Sequence, residues 1–216
     1  MPYSKERMEK LEQQFISEDF SDDRGFHIEK GSYPILLSAP HSVEQWRNNQ
    51  EKVGEYLTGP FVMLLKEDTD CFCMYKTRNQ KDDANYDEAH AYKDEMVNLV
   101  KEHNIQYVLD LHIMSDRRSH FVDIGTGKGK NINGEEEKIQ RLNEILASHQ
   151  VSHVKVDHVF SAAFPHTVSS TVHRETGVFG IQIEMNWRLL DSKNQAVKPN
   201  AFSLYEGLYT FIETLK

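Results

Sequence analysis

Short apolar runs separated by longer amphipathic stretches recur along the whole chain. Residues 33–38, Tyr-Pro-Ile-Leu-Leu-Ser, form an apolar run closed by Pro40, which suits a buried strand better than a helix. Helical spacing of Val53, Tyr56, Leu57, Val62 and Leu65 predicts a helix over 51–67, interrupted or restarted at Gly59-Pro60. Residues 71–75 read as a second strand, and the charged stretch 76–84 as a surface loop reaching over one end of the sheet. A helix over 87–103, with Ala91, Met96, Val97 and Val100 on its apolar side, leads into a strand at 106–111. Further strands are predicted at 121–124, 153–159 and 180–184, with helices at 135–148 and 201–215.

Alternation of strands and helices predicts an α/β fold: a mixed, mostly parallel β-sheet flanked by helices on both faces. The 216 residues fit a single domain, 1–216, with 1–30 as a helical or extended lead-in. Neither an internal repeat nor an interdomain linker is visible. Cys71 and Cys73 fall in one predicted strand, two residues apart, where disulfide geometry is hard to reach; they read as buried strand residues.

Ligands in open α/β sheets sit beyond the carboxyl ends of the strands. Three segments end predicted strands with groups that bind or use a metal: Ala39-Pro40-His41-Ser42-Val43-Glu44, Asp110-Leu111-His112 and Ile183-Glu184-Met185-Asn186. His41, Glu44 and His112 are the expected ligands of one zinc ion, the usual two imidazoles and a carboxylate of a catalytic site. H-x-x-E alone recurs by chance, and a second His on another strand end raises its weight. Manganese, cobalt or iron fits the same donors. Asp110, two residues before His112, shares its face and is placed either to accept the other ring N–H or to bind backbone or an Arg. Glu184 lies among Ile181, Ile183 and Met185 on a strand expected to be buried, where an unpaired charge is costly, so it is expected to meet a cation or do chemistry.

In order and spacing, Ser38-Ala39-Pro40-His41-Ser42, Asp110-Leu111-His112, Asp123-Ile124-Gly125-Thr126-Gly127 and Gln182-Ile183-Glu184-Met185-Asn186 resemble the N-formylglutamate amidohydrolases. These are similar in fold to the metallocarboxypeptidases, and the resemblance runs over residues 34–190. It implies a metallocarboxypeptidase-like, hydrolase-type fold, zinc on His41, Glu44 and His112, and Glu184 as the catalytic carboxylate. The implied activity is hydrolysis of a C–N amide bond in a small N-acyl amino acid, for example an N-formyl one. The chain departs from the pattern where an Asn-Arg pair is expected, reading Asp83-Ala84-Asn85-Tyr86. Asn85 remains a substrate contact, Arg78 or Arg188 is expected to supply the charge for a substrate carboxylate, and His166 is a further candidate contact.

Charge and hydropathy narrow the alternatives. A net charge of -9 argues against a sequence-independent nucleic-acid binder. No apolar run reaches the roughly 20 residues of a membrane helix, and the charged N-terminus lacks an apolar signal core, so a cytoplasmic location with no membrane partner is expected. A peptidase or cell-wall amidase keeps the metal but changes the substrate, and the missing signal weighs against a cell-wall target. A non-catalytic phosphate-binding module would use the 125–130 turn, Gly-Thr-Gly-Lys-Gly-Lys, which lacks the spacing of a nucleotide-binding loop. A zinc site of purely structural purpose would not need Glu184.

Overall fold

The computed structural model describes residues 3–191, 193 and 196–216. The chain runs α1 (Lys5–Ile16), β1 (Phe26–Glu29), β2 (Tyr33–Ala39), β3 (Gln45–Arg47), β4 (Gln50–Lys52), α2 (Thr58–Thr69), β5 (Cys71–Lys76), α3 (Ala91–His103) and β6 (Tyr107–Met114). It continues through β7 (Val122–Gly125), α4 (Glu136–Ser148), β8 (Val154–Val156), α5 (Val168–Thr176), β9 (Phe179–Asn186), α6 (Trp187–Leu190) and α7 (Ala201–Thr214).

Seven strands form one mixed sheet in the order β1-β5-β2-β6-β9-β7-β8. Its centre, β5-β2-β6-β9, is parallel; β1 and β7 run antiparallel to their inner neighbours, and β8 is parallel to β7. A short hairpin, β3-β4, stands apart. The single-domain α/β class with a mostly parallel sheet is as expected from the pattern.

Central-strand side chains alternate between two helical layers. Ile35 and Leu37 of β2, Leu109 and Leu111 of β6, and Ile181, Ile183 and Met185 of β9 join one core with residues of α1, α2, α4 and α7. Leu36 and Val108 face the opposite core, built with α3 and α5. Farther along that second face the apolar residues give way to Ser38, Asp110, His112, Gln182 and Glu184, all buried. Register aligns Ser38, Asp110 and Gln182 across three strands, with His112 directly beside Glu184 one step later.

Local differences from the sequence pattern have physical causes. The expected helix from residue 51 begins only at Thr58, which places Pro60 in its first turn, where N–H groups lack intrahelical acceptors in any case. Gly59 of this turn is required by contact, since a Cβ there would lie 2.2 Å from the Phe15 ring of α1. Residues 50–52 pair with β3 instead of joining the helix. The strand expected over 153–159 stops at Val156, because Asp157 turns its carboxylate back to Thr126. Cys71 and Cys73 are free thiols buried in β5.

Candidate metal centre and active-site cleft

His112 ends the polar row of β6, and His41 follows β2 directly. Each imidazole has its Nε2 on a buried carboxylate: His112 on Asp110 at 3.1 Å and His41 on Asp83 at 2.9 Å. Asp110 also accepts from the Ser38 hydroxyl at 2.6 Å, whereas Asp83 accepts two bonds from the Arg47 guanidinium, at 2.8 and 2.6 Å. With Nε2–H donated to a carboxylate, the Nδ1 atoms point at each other across 3.2 Å.

The third group at this point is Glu55. Its carboxylate oxygens lie 2.9 Å from His41 Nδ1 and 3.2 Å from His112 Nδ1, and one accepts the Ile113 backbone N–H at 2.8 Å. His41, Glu55 and His112 each offer a ligand atom within 4.8 Å of the others. A tetrahedral ion with bonds of about 2.0–2.1 Å has ligand atoms about 3.3 Å apart, close to the separations of this triad. The donor set therefore fits zinc.

Glu44, expected as the carboxylate ligand, is not in this group; it accepts from the Tyr56 hydroxyl at 3.0 Å. The reason lies in the backbone. After turning at Pro40-His41 the chain runs on into the β3-β4 hairpin, then returns so that the Glu55 N–H donates to the His41 carbonyl at 2.7 Å. Asn48 and Asn49, both at positive φ, make the hairpin turn.

Electrostatics reflect the convergence of donors. Burial alone would lower the His41 pKa, but the Glu55 charge and the hydrogen bonds that the ring donates to Asp83 and Glu55 outweigh it and push it up to about 9. His112, against the same burial, is held well above the ordinary histidine value by Asp110 and Glu55. Burial opposes ionisation of Glu55, yet the two imidazoliums pull its pKa down to about 2. All three shifts favour the charged form of the group concerned.

Glu184 borders the same space. Burial raises its pKa to about 8, the nearby imidazoles opposing and Glu55 reinforcing the rise; its carboxylate accepts from Gln182 Nε2 at 2.8 Å. His41, Glu55 and Glu184 form the floor of a cleft of about 900 Å³, with His112 buried behind them, and its walls include Arg47, Asn85, Tyr86, Phe160, His166 and Trp187. Asn85 spans the cleft wall, accepting from the Val168 N–H at 2.7 Å and donating to Gln182 at 3.4 Å. His166 stacks on Phe164 with ring centroids 5.6 Å apart.

The guanidinium at the cleft is Arg47, not Arg78 or Arg188. Arg78 pairs with Asp23 at 3.0 Å, and Arg188 donates to the Arg118 carbonyl; neither lines the cleft. Arg47, Glu55 and the Asp83 link to His41 went unrecognised in the sequence, although Asn48-Asn49 between two short polar runs was a usable hairpin signal. The 125–130 turn also lies outside the cleft walls, and the Asp157 carboxylate on Thr126 puts negative charge where a phosphate would need donors. Among the described residues no helix is long and apolar enough to cross a membrane.

No protein-family model and no curated protein sequence matches the chain. Solved structures do. An N-formylglutamate amidohydrolase from Ralstonia eutropha JMP134 superposes with a TM-score of 0.54 at 13% identity, covering 88% of this chain and 96% of that one. A bacteriophage poly-γ-glutamate hydrolase gives a TM-score of 0.55 at 12% identity, covering 92% and 93%. For a metallo-carboxypeptidase from Burkholderia cenocepacia the values are 0.51 and 10%, over 100% of this chain and 70% of that one. The likeness is one of architecture, and the chain has the metallocarboxypeptidase-like α/β fold that these hydrolases share.

Proposed function

We propose that the protein is a metal-dependent amidohydrolase that cleaves the C–N bond of a small N-acyl amino acid. The observation that carries this reading is the convergence of His41 Nδ1, His112 Nδ1 and a Glu55 oxygen within 4.8 Å of one another, beside the buried carboxyl group of Glu184. Such a set needs a cation, and two nitrogens with one oxygen favour zinc, one per chain, over harder ions.

A bound zinc supplies Lewis acidity to the scissile carbonyl and lowers the pKa of a water toward neutrality. The chain's own groups do the rest. Asp110 and Asp83 hold the imidazole rings in the tautomer that leaves Nδ1 free. Glu184, oriented by Gln182, accepts the water proton at its carboxylate and returns it to the departing nitrogen. Arg47 offers its free edge to a substrate carboxylate, in place of Arg78 or Arg188, and Asn85 and His166 are the further polar contacts.

The test is metal content followed by turnover. Wild-type protein should hold about one zinc per chain, His112→Ala should hold none, and the zinc-loaded wild type should hydrolyse an N-formyl or N-acetyl amino acid. Absence of metal after zinc reconstitution would overturn the assignment.

A further inference from the structure

Ten large hydrophobic residues are exposed among the described residues, and five of them border the cleft: Val53, Tyr86, Val159, Phe164 and Trp187. Val53 is 78% and Phe164 68% exposed, so half of the exposed large hydrophobic residues described, including two of the three most exposed, stand at this one cleft. Clustered exposure of this kind marks a surface meant to be covered.

The apolar wall is held in shape. Asp123 is buried and its carboxylate accepts three consecutive backbone N–H groups, of His158, Val159 and Phe160, at 3.2, 2.8 and 3.1 Å. Farther along, Ser170 donates to the Ala162 carbonyl at 2.5 Å, and the buried Lys93 ammonium donates to the His166 carbonyl at 2.6 Å. Val159 and Phe164 thus stand on a segment tied down on both sides, with polar groups of three other elements committed to fixing it.

Charge points the same way. Arg47 and Lys52 are the cations lining the cleft among the described residues, and Arg47 is already bonded to Asp83 and lies over the Tyr86 ring, 4.6 Å from its centroid. Against them stand Glu55, Asp116 and Glu184. A substrate carboxylate can pair with either cation, whereas Val159, Phe164 and Trp187 offer a second side chain chiefly hydrocarbon. The volume of about 900 Å³ also lies near the upper end of small-molecule sites and far exceeds a formylated amino acid with a small side chain.

Resting on the amidohydrolase reading, we infer that the cleft selects N-acyl amino acids carrying a bulky aromatic or branched apolar group, which packs against Val159, Phe164 and Trp187. The group sits either on the amino-acid side or on the acyl side of the scissile bond, and two probes separate these cases. Zinc-loaded Glu184→Gln protein is titrated calorimetrically with N-formyl-L-phenylalanine, N-benzoylglycine and N-formyl-L-glutamate. At least one aromatic probe should bind about tenfold tighter than N-formyl-L-glutamate, the effect of burying one ring. Phe164→Ala and Val159→Ser, both at exposed positions, should each cut that preference severalfold.

Equal or tighter binding of N-formyl-L-glutamate, binding of none of the probes, or a preference untouched by both wall substitutions would overturn the inference. Hydrolysis by the wild type separates the two claims. Aromatic selectivity without turnover of any probe sinks the amidohydrolase reading and leaves the apolar site standing, whereas efficient turnover with acidic preference does the reverse.

Discussion

Replacing Glu55 by Gln, beside a Glu44→Gln control, tests the centre at the point where sequence spacing and geometry disagree. Glu55 faces two buried imidazoles at 2.9 and 3.2 Å. Removing its charge leaves two protonated rings close together without their shared partner, and breaking a buried pair of this kind costs about 3–5 kcal/mol. The pKa of Glu55, depressed to about 2 against burial, has the matching sign. A carboxylate with a lowered folded-state pKa adds stability in full above its unfolded value of 4.5, lost as pH falls toward 2. His41, raised to about 9, reports the same ion pair from its other end, so the two shifts are not added. Glu44 makes one bond, from the Tyr56 hydroxyl, and its loss costs about 1 kcal/mol. Urea unfolding of chelator-treated protein at pH 7, paired with elemental analysis after zinc loading, reads both quantities. Glu55→Gln should be the less stable variant by about 2 kcal/mol or more and should lose the metal. Retention of one zinc by Glu55→Gln together with its loss in Glu44→Gln would refute the assignment.

Glu184→Gln should keep its zinc while kcat falls about 10²- to 10⁴-fold, and unchanged turnover would remove Glu184 from the chemistry. Asp110→Asn and Asp83→Asn should each weaken zinc binding about 10- to 100-fold in competition with a chromophoric chelator, because each fixes the tautomer and orientation of one ring; full affinity in both would make these bonds incidental. Zinc binding at pH 7 should release protons, since His41 with its pKa raised to about 9 is charged in the metal-free protein and must lose that proton to bind. Affinity should therefore rise from pH 6 to pH 9, and calorimetry in buffers of different ionisation enthalpy would expose a binding step without proton release.

The strand-borne half of the site was legible because one pattern encodes both fold and chemistry. On β6 and β9 a strict alternation keeps Leu109, Leu111, Ile181 and Ile183 in the core, which obliges Asp110, His112, Gln182 and Glu184 to share the other face. The parallel register then makes His112 and Glu184 neighbours. Glu55 and Arg47 were illegible for the opposite reason. They reach the site through a hairpin of three-residue strands, too short for periodicity to register, and the polar residues 50–52 are compatible with the start of the following helix. Asp83 was hidden by range: nothing local indicates that the loop after β5 folds over His41. α5 and β1 escaped notice because a nine-residue helix with four Ser and Thr residues, and a four-residue edge strand, carry weak patterns.

This division has a mechanical consequence. His112, Asp110, Gln182 and Glu184 are fixed by a continuous ladder of backbone hydrogen bonds, so their relative positions change only if the sheet does. Glu55 completes the triad from outside the sheet, tied to it by its backbone bond to His41 and by the Ile113 N–H on its carboxylate. Arg47 and the apolar wall at 158–164 are tied instead to side chains, Asp83 and Asp123. The strand-borne groups are thus anchored by main chain, while the cleft walls are held in addition by side chains, among them Asp83, Asp123, Ser170 and Lys93. A substitution at Arg47 acts on the cleft from outside the seven-stranded sheet, whereas Asp123 is the register partner of Glu184, so a substitution there reaches the floor as one on β6 or β9 does. Under the proposed function, the polar, strand-built floor carries the chemistry and the mostly apolar cleft mouth meets the rest of the substrate.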